Sequence, residues 1–330
     1  MRGGGRTPSL GFESHMDTDS KNDERESRTG FGGFLRSLLS GIPWSESAHA
    51  DIEMTLTMPS GRRMDVHNAN GKIRIVGEDR DDIYVRARKH ARAECTEAAG
   101  DLLDSIGLDQ NVVNGVLELE VVIPRRWNRH GTADLDICVP RNLEVHAQTS
   151  NGKLCVQGLR CAFHAQSSNG SVRVDDVVGD VDITTANAKV VCGCTVGRLV
   201  ARSSNGKIQV GDHRGPLDAS TSNGLIHAHL HELAREGVSL ATSNGRIVLE
   251  LPADSDAEVD VRVDNGVIRS DFDLGGTGVG EESGGRVRGR LGSGGAPIRL
   301  RTSNGTISLR ENEPDEVSPC DERQGEVRSA

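Results

Sequence analysis

Aromatic residues are nearly missing: five Phe, two Trp and one Tyr in 330 residues, 2% of the chain. That excludes an interior built on stacked rings and leaves the core to Val, Ile, Leu and Ala, side chains that suit packed strands. Long apolar runs are missing too. No stretch approaches the roughly 20 apolar residues of a membrane-spanning helix. The N-terminus stays polar to about residue 30, without the apolar run of a signal peptide. Positive charge is in deficit, 39 Lys and Arg against 49 Asp and Glu, a net charge of −10 that disfavours nucleic acid as a partner. Seven cysteines, odd in number and irregularly spaced, do not make a disulfide framework and read as reduced thiols, which favours the cytoplasm. Met16 offers a second start, so nothing rests on the first fifteen residues.

Glycine, by contrast, is plentiful, with 40 residues, and much of it belongs to a repeat. Thr149-Ser-Asn-Gly, Ser167-Ser-Asn-Gly, Thr185-Ala-Asn-Ala, Ser203-Ser-Asn-Gly and Thr221-Ser-Asn-Gly place Asn151, Asn169, Asn187, Asn205 and Asn223 at intervals of 18. Asn244 and Asn265 follow at intervals of 21, and Asn304 comes after a Gly-rich insertion. One earlier copy, Ala69-Asn70-Gly71, stands alone. After each Asn-Gly, apolar residues alternate (Leu154/Val156, Val172/Val174, Ile208/Val210), and a second alternating pair follows (Phe163/Ala165, Val181/Ile183, Leu199/Ala201). Period two marks strands with one buried face, so each unit reads strand, turn, strand, turn.

Two architectures fit. In a parallel β-solenoid, equivalent residues of successive coils stack, and asparagine amides bond along the axis. In a hairpin meander, Asn-Gly supplies type I′ turns. The recurring Thr/Ser-Ser before Asn favours the solenoid, because a hairpin needs only Asn-Gly. The hexapeptide-repeat helix is disfavoured, since no six-residue period appears. The expected fold is therefore all-β, a parallel β-solenoid of roughly 18-residue coils with a laddered column at Asn151, Asn169, Asn187, Asn205, Asn223, Asn244, Asn265 and Asn304.

These Thr/Ser-Ser-Asn-Gly-x-Ile/Val units, closing with the stretch from Arg288 to Leu309, resemble the bacterial putative-adhesin family, a domain of unknown function with β-strand repeats; the likeness spans roughly residues 51–310. It implies a β-solenoid-like domain of bacterial origin, with no catalytic residues to carry over. The missing export signal sets this chain apart from surface adhesion.

The remaining chain divides by composition. Residues 1–30 are rich in Gly, Ser and charge and are expected to be disordered. Residues 31–47 are an amphipathic segment whose Phe31, Phe34, Leu35, Leu38, Leu39 and Ile42 stand at the spacing of a short helix closed by Pro43, with Trp44 beyond. That segment suits capping or a protein partner, and a membrane surface is the alternative. Residues 48–310 are the repeat domain, with an irregular start over 48–147 that includes a helix near 92–106, regular repeats over 148–310, and the Gly-rich insertion at 274–296 read as a flexible loop. Residues 311–330 are an acidic, disordered tail.

No constellation demands catalysis, a cofactor or a metal. His227, His229 and His231 alternate on one strand face, but no carboxylate or cysteine completes a ligand set at a telling spacing. Cys192 and Cys194, with Cys155 and Cys161 nearby, suggest thiol chemistry, yet Cys192 occupies the slot of Val156, Val174 and Val210 and reads as core. The glycines at 275–280 and 292–295 match neither phosphate-binding nor dinucleotide-binding spacing. Arg286, Arg288 and Arg290 form a small basic stripe that could meet an acidic partner. The sequence therefore predicts a non-enzymatic structural or interaction protein that binds a protein or envelope partner or associates with itself. It would be cytoplasmic, or peripheral to a membrane through residues 31–44. The alternatives are an exported surface adhesin or envelope-stress component, and a carbohydrate-active β-helix enzyme.

Overall fold

Alternation of Val, Ile and Leu with polar residues gives a strand one apolar face, and most of this chain is built that way. The computed structural model describes residues 46–124, 130–274 and 280–312. The expected disordered tails, the amphipathic helix from Phe31 to Trp44 and part of the Gly-rich insertion lie outside the described residues. The fold is nearly all-β, with twenty strands and one helix among the described residues. In chain order the first third holds β1 (Glu46–Thr57), β2 (Arg63–Asn70), β3 (Ile73–Glu78), β4 (Asp82–Ala93), α1 (Thr96–Ser105), β5 (Gly107–Val113), β6 (Val116–Val122) and β7 (Gly131–Pro140). The middle holds the short strands β8 (Glu144–Asn151), β9 (Leu154–Gln157), β10 (Phe163–Ser167), β11 (Val172–Val178), β12 (Val181–Thr185), β13 (Val190–Val196), β14 (Leu199–Ser203) and β15 (Ile208–Arg214). The last third holds the long strands β16 (Leu217–His229), β17 (Val238–Leu251), β18 (Ala257–Ser270), β19 (Gly280–Leu291) and β20 (Ala296–Glu311).

The middle strands pair in parallel in two rows. One row runs β8, β10, β12, β14 and the first half of β16, so that Val145, Phe163, Val181, Leu199 and Leu217 stand in register. The other runs β9, β11, β13, β15 and the second half of β16, aligning Leu154, Val172, Val190, Ile208 and Ile226. All of these side chains are buried, and they form one contiguous apolar interior. Phe163 is its largest fully buried member.

Spatial order departs from chain order at both ends. Strand β2 lies between β6 and β8, and β3 lies between β7 and β9. The isolated Asn70 copy, expected to belong to an irregular start, is thus a regular rung inserted behind later chain. At the other end β20 lies between β17 and β18. Antiparallel strands finish both ends: β4 on β7, β1 on β4 and β5 on β6 at one, β19 on β18 at the other. The Gly-rich insertion is accordingly not simply a loop, because Gly280–Leu291 is a strand, held by register with Ala257–Ser270. Helix α1 falls inside the stretch expected to be helical and packs Ala99, Leu102 and Leu103 inward against β4 and β1.

Candidate functional site

Unlike Asn114-Gly115, which sits at positive φ and turns β5 back onto β6, the Asn-Gly of the repeat is not a hairpin turn. In β16, β17, β18 and β20 the strand runs straight through it. Glycine is required by close approach: a Cβ on Gly170 would sit 1.6 Å from the Gly152 carbonyl oxygen, and one on Gly305 would sit 1.7 Å from that of Gly245. The backbones of successive rungs touch at these glycines, leaving no room for a Cβ there, although one rung holds a buried alanine, Ala188, in the corresponding place.

The asparagines beside those glycines make one chain of side-chain hydrogen bonds. Each Nδ2 donates to the Oδ1 of the neighbour below: Asn151 to Asn70, Asn169 to Asn151, Asn187 to Asn169, Asn205 to Asn187, Asn223 to Asn205 and Asn244 to Asn223, at 2.8–3.1 Å. The series continues from Asn304 to Asn244 and from Asn265 to Asn304, so its last two members swap their sequence order. The preceding Thr or Ser turns inward. Ser167 shares a hydrogen bond with Gly170 and Thr221 donates to Gly206, whereas the hydroxyls of Thr149, Thr185, Ser203, Thr242 and Thr302 are buried with no hydrogen-bond partner among the described residues. The hydroxyl column is therefore not a second ladder.

A second corner lies at the level of Gly158, Asp176, Cys194 and Asp212, all at positive φ near 50–80°. Asp176 is fixed there by both oxygens to the Arg160 Nη2 at 3.0 and 3.2 Å.

The outward side chains of the first row also stand in columns, and their charge changes along the stack. One end presents Glu118, Asp65, Glu144, His146, His164 and Asp182. Within this group Arg63 holds Asp65 at 2.8 and 2.9 Å, and His146 Nε2 lies 2.7 Å from Glu144 Oε1. The other end presents Arg262, Arg286, Arg288, Arg290, Arg299 and Arg301 around Glu258, Asp260 and Asp264. Arg286 grips Asp260 through its Nε at 2.7 Å, and this guanidinium holds the carboxyl below its usual range.

Two of the three alternating histidines face separate carboxylates: His227 Nε2 lies 3.1 Å from Glu250 Oε2 and His231 pairs with Asp212, while the His229 ring lies 4.7 Å from that of His231. Cys192 is buried in the core slot, and burial pushes its thiol up to about 12. Cys95, Cys138, Cys155 and Cys161 are free, but Cys194 is disulfide-bonded, which corrects the expectation that every cysteine is reduced. Burial lowers the pKa of His213, whose Nδ1 lies 2.9 Å from Thr195 Oγ1. Among the described residues no helix is long and apolar enough to cross a membrane. The anchor candidates Phe31, Phe34, Leu35, Leu38, Leu39, Ile42 and Trp44 lie outside the described residues.

Parallel rungs in two rows, hydrogen-bonded through a shared asparagine corner and finished by antiparallel strands, define a class of repeat-built β domain. Residues 44–310 match the model of the Toastrack DUF4097 family, and the chain belongs to that family. No curated protein matches the sequence. Among solved structures, a putative adhesin from Bacteroides fragilis aligns over 81% of this chain and 97% of its own, at 11% identity and a TM-score of 0.44. A putative lipid binding protein from Parabacteroides distasonis aligns over 80% and 97%, at 12% identity and 0.44. A putative cell adhesion protein from Clostridium sporogenes aligns over 80% and 100%, at 9% identity and 0.28.

Proposed function

We propose that this protein is a non-enzymatic interaction scaffold, a parallel β-solenoid of roughly 18-residue coils spanning residues 48–310. Its polar faces would dock a protein or envelope partner, a second copy of the chain included. The asparagine ladder serves this role structurally, holding the outward columns at a fixed spacing. The reading rests chiefly on the reversal of charge along the first row, acidic and histidine-bearing at one end and arginine-bearing at the other. Fixed opposite patches favour charge-complementary docking, steer encounter and discriminate against partners of the wrong sign. Nucleic acid is disfavoured by the net charge of −10.

Sedimentation velocity across a salt series tests this with the full chain. The expected result is association that weakens as salt rises and is abolished by R299E/R301E. A wash of fractionated cells should likewise release an envelope-bound pool with salt. A chain that sediments as a monomer at every salt concentration, and that no partner retains in any cell fraction, overturns the reading.

A further inference from the structure

Strands β8 and β10 bring three metal-ligating groups together on the acidic end of the first row. Glu144 and His146 are two residues apart on β8 and therefore project from the same side. His164 stands in register with His146 on the parallel neighbour β10. The two imidazole ring centroids are 4.3 Å apart, and one ligand atom from each of Glu144, His146 and His164 can be chosen so that all three lie within 4.8 Å of one another. All three side chains are half-buried, so their stems are braced while their heads reach solvent.

From this cluster the geometry points to a divalent transition-metal site of the zinc class, with Glu144, His146 and His164 as ligands and the remaining positions open to water or to a partner's side chain. Two imidazoles and one carboxylate are a donor set that such ions favour over calcium or magnesium, which prefer all-oxygen shells. Ligand atoms on a four-coordinate zinc lie roughly 3.3 Å apart. The present spacing, within 4.8 Å, is about 1.5 Å or less from that value. The same column supplies flanking carboxylates, because Asp65 is in register with His146 and Asp182 with His164. Asp182 lies 3.9 Å from Arg202. Arg63, in register with Glu144, holds both oxygens of Asp65 through two hydrogen bonds. The ion would cross-link two successive rungs and give the acidic end a chemically selective contact. His227, His229 and His231, each beside its own carboxylate or imidazole, do not converge in this way.

Titration calorimetry of the full chain with Zn²⁺ tests the assignment, with Co²⁺ as a spectroscopic probe of the same site. Wild type is expected to bind Zn²⁺, and His164→Ala and Glu144→Gln should each weaken that binding by at least about 10-fold. Both variants should keep the wild-type circular dichroism spectrum. A variant with His227, His229 and His231 all changed to Ala should bind as wild type does. Bound Co²⁺ should show ligand-field bands in the visible without a thiolate charge-transfer band. Undiminished Zn²⁺ binding by folded His164→Ala and Glu144→Gln overturns the site, as does a thiolate band or loss of binding in the triple variant alone.

Discussion

The middle of the molecule and its two ends solve the same stacking problem differently. From Glu144 to His229 chain order is spatial order, each rung pairs with the ones just before and after it, and one spacing of 18 serves every contact. At the ends the chain doubles back: residues 63–78 are clamped between rungs built from 116–140 and 144–157, and residues 296–311 between 238–251 and 257–270. Rungs that contact only sequence neighbours fray from a free end. An inserted rung cannot peel away without breaking two interfaces, so the doubling back secures both ends. The antiparallel strands beyond then leave an edge of different hydrogen-bond geometry from the parallel template inside.

If backbone contact at the asparagine corner is what both regions share, the largest effects should come from filling it, equally in the middle and at the end. Gly170→Ala and Gly305→Ala should each destabilise by about 1–3 kcal/mol in urea denaturation, because a backbone carbonyl lies where the new Cβ would sit. Ala188, which already occupies the corresponding place in one rung, sets the control: Ala188→Gly should cost no more than about 1 kcal/mol. A cost for Gly305→Ala far below that for Gly170→Ala would show that the end rungs stack more loosely than the middle.

The ladder gives a smaller contrast. Asn187→Ala removes one donated and one accepted hydrogen bond, whereas Asn265→Ala removes the single described one. At about 1 kcal/mol or less for each exposed bond, the middle variant should lose roughly twice as much stability as the terminal one. A loss well above twofold would mean that continuity strengthens the ladder, and equal losses would mean that the number of amide bonds does not set its contribution.

How far the sequence could foretell this follows from the same contrast. Spacing alone brings Asn151 through Asn223 to one level, and alternation alone turns Leu154, Val172 and Ile208 inward, because in the middle a single period fixes both. Asn70, Asn265 and Asn304 carry the same local signature, but no local signal says that 304 sits between 244 and 265; long-range insertion is decided by which rung fits which gap. Gly280–Leu291 escaped for a related reason. Its alternating Arg286, Arg288 and Arg290 are the outward half of an edge strand, which lacks the apolar pairs that mark the inner rungs. The Glu144, His146 and His164 cluster was readable in principle, since His146 and His164 are 18 apart, but the alternating histidines at 227–231 are the more conspicuous local pattern.

Within the middle, one rung differs in its response to pH. His213 stands at the level of Thr195 and Val177, buried and held neutral, its pKa lowered by burial. Between that depressed value and the ordinary value of about 6.5, the unfolded chain binds a proton that the folded chain refuses. The stability contributed by neutral His213 is therefore complete above about pH 6.5 and declines as pH falls through that window. Thermal melts of wild type and His213→Val across this range should converge toward acid pH, the variant lacking this component of the pH dependence. Parallel curves would show that carboxylates elsewhere set the acid response.

The smallest effect has the opposite sign and compares two hydroxyls at one level of adjacent rungs. Ser167 has a partner in Gly170, while the Thr185 hydroxyl is buried without one among the described residues. Replacing a buried, unpartnered hydroxyl by a methyl of similar shape removes a desolvation penalty and no interaction. Thr185→Val should therefore leave stability unchanged or raise it by up to about 1 kcal/mol, whereas Ser167→Ala, which strands the Gly170 groups it serves, should lower it by about 1 kcal/mol. Urea midpoints of the two variants decide the matter. A loss at Thr185→Val matching that at Ser167→Ala would mean that both hydroxyls serve the corner alike, and that the inward column is held together by more than apolar packing.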